Sequence, residues 1–82
     1  MTLYDCDVGK QCKIVRFETQ DYALKDRFMS FGIVKDRVCC VVSHSIRRLA
    51  VAVMVGDTQI ALRDSEAKSI IVEPLESVDS KA

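Results

Sequence analysis

The chain is poor in the residues from which many compact functional sites are built. Glycine occurs three times in 82 residues, as Gly9, Gly32 and Gly56, and never in a cluster. A phosphate-cradling loop of backbone amides is therefore excluded. Tryptophan is absent, and histidine (His44) and proline (Pro74) each occur once. An excess of either charge is also missing, because 12 basic side chains face 12 acidic ones. General nucleic-acid binders and binders of anionic membranes both rely on surplus positive charge, so the balance argues against them. The longest charge-free apolar stretch, Leu49 to Gly56, is far shorter than the roughly 20 residues that cross a bilayer. The first residues, Met1 to Asp7, carry two acids and no basic group before Lys10. They do not read as a secretory signal, which makes the cytosol the expected location.

What remains is the composition of a small folded domain, 49% hydrophobic and 29% charged. At this length a single domain is expected, burying about 60–65% of its unfolded surface. Residues 1–75 are assigned to it and residues 76–82 to a flexible polar tail. The four cysteines, Cys6, Cys12, Cys39 and Cys40, would stay reduced in a cytosolic protein. A zinc site wants thiolates in tight pairs with matching partners. Here five residues separate Cys6 from Cys12, and Cys39 and Cys40 are adjacent. A site made of Cys6, Cys12, one of Cys39 and Cys40, and His44 is carried as an alternative, and buried or half-buried free thiols are preferred.

Periodicity predicts a first strand over Cys12–Glu18, introduced by a Gly9-Lys10 turn. A short helix follows, capped by Asp21. Leu24, Phe28 and Phe31 form its apolar stripe, Lys25, Asp26 and Arg27 face water, and Gly32 stops it. At about three turns it needs to dock its apolar side to be stable. Val38–His44 and Arg47–Val55 read as strands joined through Ser43-His44-Ser45. In the second of these Leu49, Val51, Val53 and Val55 share one face, and Arg47 and Arg48 point to opposite faces. Gly56-Asp57 signals a tight hairpin into Thr58–Arg63. Asp64 is the expected cap of a single helical turn, Ser65 to Lys68, before a last strand Ser69–Glu73 that ends at Pro74. Five short strands in so small a chain are best sealed by curling. The expected fold is mainly β, a small, partly open SH3-like barrel with the helix at one open end.

No nucleophile, base and orienting group occur together in the pattern, and His44 reads as a solvated loop histidine. The carboxylates Asp5, Asp7, Asp57 and Asp64 sit near the chain start, in the hairpin or at a cap. No catalytic residue and no cofactor are assigned. An RNA-binding barrel would interleave aromatics with cations such as Arg47-Arg48. The tyrosines and phenylalanines lie mostly elsewhere in the sequence, so RNA binding is carried only as an alternative. Met29 falls off the helical stripe. It either extends the core face or stands exposed as a contact patch for a partner. With no charge bias and no catalytic set, contact with another protein is the natural use of such a module.

Three blocks, in this order and spacing, make the chain resemble the ferrous iron transport protein A (FeoA) family. They are Leu3-x-x-Cys6-x-x-Gly9, the helix Ala23 to Ile33, and Ile60-Ala61-Leu62-Arg63-Asp64-Ser65-Glu66-Ala67-x-x-Ile70-x-Val72. The similarity runs from about Leu3 to Pro74. Cys6, Phe28 and Phe31 stand where the family usually has leucine, and Asp36 where it usually has glycine. The loop Ser43 to Arg48 lacks a proline that often precedes the next strand. A second family with this barrel, the C-terminal domain of iron-dependent repressors, is disfavoured by the methionine start and the absence of DNA-binding helices. The resemblance implies a cytosolic accessory protein of bacterial ferrous iron uptake. It would dock on the cytosolic GTP-binding part of the membrane transporter FeoB and tune it, carrying no iron itself. The family pattern points to the helix end, Arg27, Met29, Phe31 and Gly32, as the contact site. Pairing of two copies through an edge strand is a further expectation.

Overall fold

A computed structural model describes residues 1–75; the tail expected over 76–82 lies outside the described residues. The chain opens with a 3-10 turn at Leu3–Asp5 and continues through β1 (Gln11–Phe17), α1 (Tyr22–Ser30), β2 (Val38–His44) and β3 (Ala50–Val55). It closes with β4 (Thr58–Arg63), α2 (Asp64–Lys68) and β5 (Ile70–Pro74). All pairings are antiparallel, in the order β4-β3-β2-β1-β5. The expected strand and helix order is present, as one open five-stranded sheet. β4 and β5 are its two edges, and the N-terminal segment lies along β5: Thr2 bridges Ile71, and the Val72 N–H donates to the Met1 carbonyl at 2.8 Å.

The sheet curls at two register shifts, between Ile14 and Arg16 in β1 and between Val41 and Ser43 in β2. Such bulges bend a strand and increase its twist. They also explain why alternation in these two strands is only partial in the sequence. The concave side holds the core, with Ile14, Val41, Val51, Val53, Leu62, Ile70 and Val72 almost fully buried. Phe28 brings α1 onto this core and stacks on Phe17 of β1, with ring centroids 5.5 Å apart. The β3–β4 reversal has two central residues, with Val55 paired to Thr58. Gly56 takes φ +60° at the first of them, the position where a II′ hairpin turn calls for glycine.

Four local expectations are corrected. The strand expected from Arg47 begins at Ala50, because Arg48 turns into the left-handed region at φ +56°. Leu49 consequently stays exposed instead of sharing the buried face of Val51, Val53 and Val55. β2 has the expected bounds, Val38–His44, so Ser43 and His44 are not part of the connection, which runs through residues 45–49. The cap of α2 is Arg63 rather than Asp64, one residue earlier, because the Glu66 carboxylate accepts the Arg63 N–H at 2.9 Å.

Candidate functional site

The helix end is built from local signals. Asp21 caps α1 by accepting the Leu24 N–H at 3.2 Å, satisfying one of the orphan donors of the first turn. At the other end the Gly32 N–H donates to the Met29 carbonyl (3.0 Å) and the Ile33 N–H to the Phe28 carbonyl (2.8 Å). With Gly32 at φ +81°, this is a Schellman termination, accompanied by burial of both Ile33 and Phe28. Phe28 is thereby locked inward, and Met29, one position on, is driven outward with 60% of its surface exposed. Phe31 is half-buried and packs against the core.

Arg27 is exposed, as expected, and it also has a partner that the sequence reading lacks. Its neighbour Asp26 is exposed as the spacing suggests, and the Arg27 guanidinium reaches across to α2 and pairs with Glu66 Oε2. It also lies 5.6 Å from the Phe31 ring centre, where a cation meets the negative face of the ring. Glu66 is only 7% exposed, and its other oxygen caps α2. The structure thus joins Arg27, Phe31 and Gly32 into one braced corner with Met29 projecting from it. Sequence reasoning missed Glu66. The signal available was the acid three residues after the cap, a position from which carboxylates reach back to the cap N–H.

The remaining candidates fall into two further groups. Tyr4 carries two cations over its ring, Arg48 at 4.5 Å and Lys68 at 4.7 Å. Its hydroxyl donates to the Arg48 carbonyl (2.9 Å), and the Arg48 guanidinium donates back to the Tyr4 carbonyl (2.8 Å). Arg48 is therefore occupied within the fold, and Arg47 and Arg48 sit in a turn rather than on the two faces of a strand. His44 is not a solvated loop residue. It ends β2 edge-on to Tyr4, and its Nδ1 is buried without a hydrogen-bond partner.

Cys6, Cys12 and Cys39 are buried and Cys40 is half-buried, all as free thiols. Among the described residues no group of three or more Cys, His, Asp or Glu side chains could hold a metal ion. His44 packs edge-on to Tyr4 and does not join the thiols in such a group. Burial pushes the Cys39 thiol up from 9.0 to about 12, with the neighbouring Cys12 and Cys40 adding to it. Cys6 is raised further, again mainly by burial and then by Cys12. Thiols held neutral in this way are poor nucleophiles and poor metal ligands at neutral pH.

A curled five-stranded antiparallel sheet with one docked helix and a braced, partly apolar corner defines a small SH3-like module. The FeoA domain family matches residues 1–74, and the chain belongs to that family. Fe(2+) transport protein A of Helicobacter pylori is 34% identical over 73 residues, covering 89% of this chain and 96% of its own. The FeoA protein of Stenotrophomonas maltophilia, a prokaryotic SH3 domain protein solved in complex with zinc, superimposes with a TM-score of 0.75 at 29% identity, covering 89% of each chain. A manganese-dependent transcriptional repressor shares the fold at a TM-score of 0.84 and 23% identity, with this chain covered to 90% and the repressor to 40%. Among the described residues no helix is long and apolar enough to cross a membrane.

Proposed function

We propose that this chain is a cytosolic accessory protein of bacterial ferrous iron uptake, acting by contact rather than by catalysis. Its partner is the cytosolic GTP-binding part of the FeoB-type membrane transporter, which it regulates by docking. The family membership and the names of the relatives support the iron-transport setting. The observation that carries the contact site is Met29, a large, flexible apolar side chain 60% exposed on a rigid helix end. Methionine adapts its shape to a partner at low cost. The Schellman turn and the Arg27–Glu66 pair hold its base in place, so little ordering entropy is lost on binding.

The test is a binding titration of the purified cytosolic part of FeoB, with and without guanine nucleotide, against the wild-type chain and Met29→Asp. Binding by the wild type and its loss in the folded variant support the reading. Equal binding by both would remove Met29 from the contact.

A further inference from the structure

The iron-transport reading makes no use of the buried thiols. Cys6 and Cys12 are 2% and 1% exposed, and their sulfurs lie 2.7 Å apart. That is short for two unbonded sulfurs and within about 0.7 Å of the disulfide bond length. The approach is built by the backbone between them. Gly9 reverses the chain at φ +86°, and its N–H is pinned to the Val41 carbonyl at 2.8 Å. The reversal brings the end of the opening 3-10 turn back against the start of β1. The Cys6 thiol also donates a hydrogen bond to the Thr2 carbonyl at 3.9 Å. Cys39 is the cross-strand neighbour of Cys12. It is therefore the competing partner that any pairing must exclude.

The pair is also reachable. A cleft of about 840 Å³ is walled by Asp7, Gly9, Lys10, Gln11, Cys12 and Cys40. It brings open space to the Cys12 side of the dithiol, and its wall carries the acids Asp5 and Asp7 beside Lys10 and Met1, with no excess of either charge.

We infer that Cys6 and Cys12 form a reversible dithiol–disulfide site whose co-reactant is a small disulfide of the glutathione class. In the first step Cys12, at the cleft wall, gives up its proton and attacks one sulfur of the reagent; the expelled thiolate takes up that proton and leaves as a thiol, with a mixed disulfide on Cys12. Cys6 then attacks the Cys12 sulfur, and the second thiol departs with the proton that Cys6 gives up. Two protein S–H groups are oxidised to one S–S bond, and one external disulfide is reduced to two thiols. Because burial holds Cys6 protonated, the second step is slow at neutral pH. The site reports the redox poise of its surroundings and does not respond quickly to peroxide.

The full-length chain tests this directly. It is equilibrated with oxidised and reduced glutathione, quenched with iodoacetamide and digested with trypsin under denaturing conditions. Cleavage after Lys10 separates the two cysteines, so a Cys6–Cys12 disulfide appears as peptide 1–10 joined to peptide 11–13. The expected result is that joined pair, with Cys39 and Cys40 alkylated, and an equilibrium constant at least tenfold above that of the same chain unfolded in urea. Cys39→Ala should leave the joined pair in place. Alkylation of all four cysteines, a bond between Cys12 and Cys39 or between Cys39 and Cys40, or equal constants in the folded and unfolded chain would each overturn the proposal.

Discussion

Glu66 and Arg27, 39 residues apart, are tied through a single carboxylate that serves two helices at once. Oε1 accepts the Arg63 N–H and starts α2, and Oε2 takes the Arg27 guanidinium and so fixes the end of α1. Glu66→Ala removes both contacts and should cost about 2 kcal/mol, combining a lost cap with a lost, partly exposed ion pair. Glu66→Gln keeps an oxygen for the cap and should cost about half as much. The Arg27 side chain is 48% exposed, so the pair is discounted against a fully buried one. Urea unfolding of the two variants separates the contributions: equal losses would show that the cap contributes nothing, and no loss in Glu66→Gln would show that the guanidinium contributes nothing.

Asp36 occupies a left-handed conformation, φ +71°, in the turn before β2, where its N–H donates to the Ile14 carbonyl at 2.7 Å. A side chain there costs energy that glycine avoids, partly offset by the greater freedom glycine has when unfolded. Asp36→Gly should therefore raise stability by about 0.5 kcal/mol. Gly32→Ala should lower it by about 1 kcal/mol through the backbone alone, since a Cβ there meets nothing within 4 Å. Urea midpoints check both signs.

Local chemistry was legible and remote chemistry was not. Asp21, the Leu24–Phe28 spacing and Gly32 define α1 because capping, periodicity and positive φ all act within a few residues. Gly56-Asp57 marks the hairpin for the same reason. The start of β3 is not legible because Leu49 continues an alternating pattern, and alternation alone does not reveal that Arg48 leaves the extended region to reach Tyr4. Arg27 is exposed as its spacing suggests, but its pairing is not legible because the partner, Glu66, lies in another helix. The same applies to Met29, whose place off the stripe was visible and whose exposure needed the fold.

Alkaline pH should destabilise the fold through Cys39. Its thiol is held up to about 12 in the folded chain against 9.0 for a free one, so the unfolded chain releases its proton first. The contribution is complete below pH 9 and is lost as pH rises from 9 towards 12. Cys39→Val, similar in size and unable to ionise, should show a shallower fall in stability over that window. Parallel curves for the two proteins would contradict the assignment.

On the proposed function, the corner at Met29 meets the cytosolic part of the FeoB-type iron transporter. Calorimetric titration of that part with the wild-type chain and with Met29→Asp, both verified as folded by circular dichroism, tests it most directly. Binding by the wild type weakened at least tenfold in the variant is the predicted result. An unchanged dissociation constant, or no binding by the wild type in any nucleotide state, would contradict it.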